Sequence, residues 1–192
     1  MICTIGCAHY ARPAAVPKVM RELIRLFWQI ALLRRGPQDV PASMLLLVLT
    51  VIGYLCVNVV FSSLLPPDSH WPGLLLIDSL FMLAWYTALL RLLGRPERIL
   101  QTTTAVFGFQ AVMAPLLIGS GWLLGRFGSD STWQVPITCA WLLLIVWLVA
   151  ANSHIVRAAL EWSSASSVAL VILQTLAGGL LQLALFPPPL KH

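Results

Sequence analysis

The sequence predicts an all-α membrane protein: a bundle of about five transmembrane helices, preceded by an amphipathic helix lying in the membrane interface. Three observations predict it. Of 192 residues, 59% are hydrophobic and only 10% charged, where a soluble domain carries about 25% charged residues. The apolar residues gather in runs close to the ~20 residues that a bilayer demands. The basic residues sit at the ends of those runs, on alternate loops.

Residues 1–17 hold Pro13 and Pro17 and no apolar core, and read as a disordered N-terminal segment. They lack the basic start and apolar stretch of a cleaved signal peptide, and Met20 offers an alternative start. Residues 18–35 follow as an amphipathic helix. Val19, Leu23, Leu26, Phe27 and Ile30 recur at helical spacing, with Arg21, Glu22, Arg25 and Gln29 on the other side. Gly36 and Pro37 supply the stop signal. The charges are too frequent for a span, which places this helix in the interface. Its apolar face is expected to meet acyl chains, and Arg21, Arg25, Arg34 and Arg35 to meet headgroups. The alternative is that it is the first buried helix of the bundle.

Five runs, within residues 44–186, are long enough to span. The first, 44–65, has no charge, and Ser43 can cap its start. The second, 74–93, contains Asp78. The third, 99–124, is interrupted by Pro115, which predicts a kink. The fourth, 136–156, carries Trp141, Trp147 and Asn152, and the fifth is 164–186. Pro187, Pro188 and Pro189 forbid further helix, leaving 187–192 as a short tail.

Orientation follows from lysine and arginine. Arg12, Lys18, Arg21, Arg25, Arg34, Arg35, Arg91, Arg95, Arg98 and Arg157 fall on one side of a five-span chain, and Arg126 and Lys191 on the other. Basic loops stay cytoplasmic, so the N-terminus is expected inside and the C-terminus outside, in a bacterial-type inner membrane. The same placement argues against nucleic-acid binding, which would want one basic face. Cys56 and Cys139 lie inside apolar runs and behave as small hydrophobes. Cys3, Cys7 and His9 have a loosely metal-like spacing in the irregular N-terminal segment, too little for a metal site. No phosphate loop, catalytic carboxylate pair or nucleophile elbow occurs. No enzyme, metal or cofactor is therefore expected.

The order of parts is similar to a known family. A basic helix leads into five spans. The third span begins Gln101-Thr102-Thr103-Thr104 and continues Gly108-Phe109-Gln110-Ala111-Val112-Met113-Ala114-Pro115-Leu116-Leu117. The fourth ends in Asn152, His154 and Arg157, and a short turn leads to the fifth. Over residues 20–186 this layout resembles the Yip-domain family of polytopic membrane proteins. The resemblance implies an architecture. Eukaryotic members are linked to vesicle traffic and small GTPases, but their long cytoplasmic N-terminal region has no counterpart here.

Polar residues within the spans mark the places where chemistry or helix contact occurs. A carboxylate at a helix centre costs about 2.5–3.5 kcal/mol on insertion scales. Antiparallel threading puts Asn58 and Gln182 near the depth of Asp78, so the three form a candidate polar cluster. It reads as a proton or cation site, or as a structural carboxylate that bonds between helices or snorkels to the headgroups. The second is favoured, since no second carboxylate or basic partner accompanies Asp78. Gln110 and Gln174 fall near mid-membrane, as contacts between helices or the lining of a substrate path. Gly121 with Gly125, and Gly178 with Gly179, are thin patches for helix packing, within the chain or in a homo-oligomer. His154 and Arg157 share a helix face at the end of the fourth span, where headgroups are the expected partners. The expected function is non-catalytic: a membrane scaffold or accessory subunit acting through helix–helix contacts, with a small transporter or channel as the alternative.

Overall fold

The computed structural model describes residues 16–63, 71–127 and 132–187, with side chains from Arg21 onward. The expectations for a disordered segment at 1–17 and a tail at 187–192 fall almost wholly outside these residues, as do Cys3, Cys7 and His9. Six helices follow in order: α1 (Val16–Ala31), α2 (Met44–Ser63), α3 (Trp71–Leu92), α4 (Ile99–Phe127), α5 (Gln134–Leu160) and α6 (Ser164–Leu185). The chain is an all-α bundle, and α2 to α6 are long and apolar enough to cross a membrane.

The central helix is α4, which packs against α1, α2, α3 and α5. Every residue from Thr102 to Phe109 is buried. Such a stretch needs small or shape-matched side chains, which accounts for three threonines, Ala105 and Gly108 within about two turns. A Cβ on Gly108 would collide with the Phe27 ring, so the missing side chain is what lets α1 seat against α4. The helix runs unbroken through Pro115. The remaining helix, α6, closes the bundle by packing on α5 and α3.

The surroundings of α1 differ from those its sequence predicts. Leu26, Phe27, Ile30 and Ala31 are buried in the core, and the Trp147 indole donates to the Ala31 carbonyl at 3.1 Å. The apolar face expected among acyl chains therefore packs on protein. Arg21, Glu22, Ile24, Arg25 and Trp28 point outward. The stop differs as well. Leu33 adopts left-handed φ of 59°, with Leu33 N–H donating to Ile30 O (2.9 Å) and Arg34 N–H to Gln29 O (2.9 Å). This is a Schellman closure on a leucine, and it ends the helix before Gly36 and Pro37. Those two residues open a 3-10 turn at Pro37–Asp39, where Asp39 accepts from the Gly36 N–H at 3.1 Å.

The other boundaries are close to expectation. Ser43 accepts from the Leu46 N–H at 3.4 Å, a long cap for α2. The end of α3 repeats the Schellman pattern with Gly94 at φ 71°. One further turn extends α5 beyond Val156, and it stops at Glu161 with φ 58°.

Candidate functional site

Two polar assemblies stand out, one at an end of the bundle and one inside it. At the end, the loop joining α3 to α4 clamps the C-terminus of α5. The last carbonyls of any helix lack intrahelical partners. Here Arg98 Nη1 donates to the Ala159 carbonyl at 2.9 Å and to the Ala158 carbonyl at 3.3 Å. Its Nη2 meets Glu161 at 2.6 Å, and Arg95 Nη2 meets the other carboxylate oxygen at 3.0 Å. Hydrogen bonds from Arg95 and Arg98, reinforced by their charge, hold the Glu161 carboxyl down to about 2. Pro37 and Gln38 line a cavity with Arg98, Thr102 and Glu161, so three of the basic connections meet at one end. Beside them His154 and Arg157 line a shallow groove with Glu161 and Trp162. His154 and Arg157 share this groove, and Arg34, Arg35 and Arg157 are exposed.

The interior assembly centres on Asp78. It lies seven residues into α3, about 10 Å from that end of the helix. The Tyr54 hydroxyl of α2 donates to Oδ2 at 3.0 Å, and Gln182 Nε2 of α6 reaches Oδ1 at 3.4 Å. Asp78 thus ties α2, α3 and α6 together. Of the three residues expected to cluster, Asp78 and Gln182 meet. Asn58 does not join them: its amide donates to the Tyr54 carbonyl at 2.9 Å, one turn back along its own helix. Tyr54 takes the place expected for Asn58. The spacing of four residues put both on one helix face, and the longer side chain reaches the carboxylate.

Beside this junction, α3, α4, α5 and α6 line a half-open chamber of about 340 Å³, with Thr175 and Gly179 exposed at its rim. Asp78, Gln110, Asn152, Gln174, Thr175 and Gln182 supply its polar lining, and Phe81, Met82 and Val171 much of its apolar lining. The mid-membrane glutamines and the Asp78 cluster, separate in the sequence reading, thus share one cavity. Gln174 Oε1 accepts from the Tyr86 hydroxyl at 2.8 Å, which fixes its orientation. Asn152 Oδ1 is buried with no hydrogen-bond partner among the described residues.

Gly178 and Gly179 border the chamber. A Cβ on Gly178 would press the Phe81 ring, so this glycine does serve packing of α6 on α3. One on Gly179 would meet nothing within 4 Å. Gly121 and Gly125 are exposed near the far end of α4, also with nothing within 4 Å, and so pack against no neighbour within the described chain. Among the described residues no cluster of three or more His, Cys, Asp or Glu side chains is placed to hold a metal ion. Comparison with known proteins finds no matching family model, curated protein or solved structure.

Proposed function

We propose that this chain is a non-catalytic, multi-pass protein of a bacterial-type inner membrane, and that it receives a small polar solute in the chamber beside Asp78, as a small transporter or channel. The observation that carries the reading is the convergence of one carboxylate and four amide side chains, from four helices, on a single cavity. Polar groups within spans are costly and face bundle interiors or water-filled cavities. Amides serving only to join helices would pair with one another. Asn152 leaves its carbonyl oxygen without a partner among the described residues, which favours a chamber that holds water or solute.

The gathering of the basic connections at one end supports an orientation with that end, and the N-terminus, in the cytoplasm. The C-terminus is then outside. The Yip-like layout is consistent with the architecture and carries no activity with it.

A second reading is the scaffold or accessory subunit, whose partners are the bilayer, other membrane proteins or a second copy of the chain. One observation favours it: both Asp78 oxygens already accept from within the protein, so the carboxylate also works as a structural tie. Flux in proteoliposomes separates the two. Osmotic swelling with urea, glycerol and protonated amines should exceed that of empty vesicles, and Asp78→Asn or Asn152→Leu should lower it. Flux equal to empty vesicles for every solute leaves the scaffold reading in place.

A further inference from the structure

Resting on the reading of the chamber as a solute site, the chemistry of its walls selects the kind of solute. We propose that the chamber binds a small organic ammonium ion, with the charged nitrogen at Asp78 and the carbon body along Phe81, Met82 and Val171.

The first argument is charge. Among the described residues no lysine, arginine or histidine lines the chamber, while one carboxylate does. A guest that brings a positive charge supplies the missing counter-ion in a low-dielectric surround, where an uncompensated carboxylate is costly.

The second argument is the hydrogen-bond inventory. An ionised carboxylate offers about four acceptor sites, and Tyr54 and Gln182 occupy two of them. Gln182 spends its amide nitrogen on Asp78, which leaves its carbonyl oxygen as an acceptor. Asn152 Oδ1 is buried and unpartnered among the described residues. Asp78 is the one charged acceptor among the lining residues, and an ammonium group is donor-only. The amide N–H groups of Gln110, Asn152 and Gln174 remain for a polar group elsewhere on the guest.

The third argument is size and shape. A calcium ion needs six to eight oxygens at about 2.3–2.6 Å, whereas the polar groups here are spread around a chamber of about 340 Å³ with one carboxylate and a partly apolar wall. That space suits an ion with a carbon body. Asn152 of α5 lies eight residues from the opposite end of its helix, about 12 Å in. Together with Gln110 and Gln174 it can receive a second polar group at the far side of the guest.

Ethanolamine, protonated at neutral pH, is a suitable probe, and ethylene glycol is its neutral counterpart of nearly equal size. Titration calorimetry of the full chain in mild detergent should show saturable ethanolamine binding at pH 7, with sodium chloride held constant. Ethylene glycol should bind at least tenfold more weakly. Asp78→Asn, which keeps an acceptor for Tyr54, should weaken ethanolamine at least tenfold with little change in melting temperature. Equal binding of ethanolamine by wild type and Asp78→Asn overturns the assignment, as does equal binding of ethanolamine and ethylene glycol. If neutral solutes bind and ethanolamine does not, the solute chamber stands and the ammonium assignment falls. If neither class binds, both fall together.

Discussion

The hydroxyl of Tyr54 on α2 donates to Oδ2 of Asp78 on α3 across 3.0 Å, so the one carboxylate inside a span is held first by a phenol. The same phenol ring stands edge-on to Phe107 of the buried α4 segment, with centroids 5.4 Å apart. The junction therefore links the chamber to the tightest part of the core. A structural tie and a solute site are compatible in one carboxylate, because its two inward hydrogen bonds leave acceptor capacity free.

Stability and function at Asp78 are expected to separate. Asn in its place can accept from Tyr54, and Gln182 can turn its amide to present oxygen, so Asp78→Asn should be mild in folding. Asp78→Leu strands both the phenol and the amide. The loss is of order 1 kcal/mol, which lowers the melting temperature in detergent by a few degrees. Circular dichroism melts of the two variants check this order, and equal melting of Leu and Asn variants would show that the bonds contribute nothing.

The Glu161 clamp should be sensitive to acid. Its folded value is depressed to about 2 by Arg95 and Arg98, below the ~4.3 of a free glutamate. A depressed carboxyl contributes stability above its unfolded value and loses it as pH falls through its folded value. The contribution is thus complete at pH 7, declines below about pH 4.3, and is gone near pH 2. Glu161→Gln should melt slightly below wild type at pH 7, and the gap should close on acidification. Both arginines and the glutamate are partly open to solvent, so added salt should narrow the gap too. A gap independent of pH and salt would mean the clamp is not electrostatic.

Gly108 and Phe27 form the tightest seat of α1. Gly108→Ala should destabilise by about 1–3 kcal/mol through overpacking, because the added Cβ meets the ring rather than open space. Shortening the ring relieves the clash, so the double variant Gly108→Ala with Phe27→Leu should be less destabilised than the sum of the singles. Strict additivity in a melting cycle would place the cost of the glycine substitution elsewhere.

Much of this architecture is legible in the chain because a bilayer constrains length and polarity at once. The five spans, and the meeting of Asp78 with Gln182, follow from counting residues inward from helix ends. What counting cannot supply is rotation about each helix axis. In α2 Thr50, Tyr54 and Asn58 share one face at a spacing of four, so rotation does not separate Tyr54 from Asn58 as the partner of Asp78; the reach of the longer side chain does. The convergence of Gln110, Asn152 and Gln174 on one chamber does depend on that hidden angle. The closure of α1 at Leu33 was hidden for another reason: leucine is unfavoured at left-handed φ, so the signal at Gly36 and Pro37 pointed too far along. Glycine at the same position of α3, Gly94, is the residue that motif prefers.

Labelling of α1 tests how much of the amphipathic pattern serves the bundle and how much the membrane. Cysteines placed at positions 21 and 25 should react with a water-soluble maleimide from the cytoplasmic side, since both arginines point outward. Cysteines at 27 and 30 should be protected in membranes, and also in detergent, because Phe27 and Ile30 are buried by α4 and its neighbours and not by lipid alone. Position 24 is the discriminating one. Ile24 faces outward, so protection there in membranes that disappears in detergent would assign that flank to acyl chains. Ready reaction at 27 and 30 in detergent would mean that α1 leaves the bundle when lipid is removed. The Gly108 seat would then fail as the anchor of the helix.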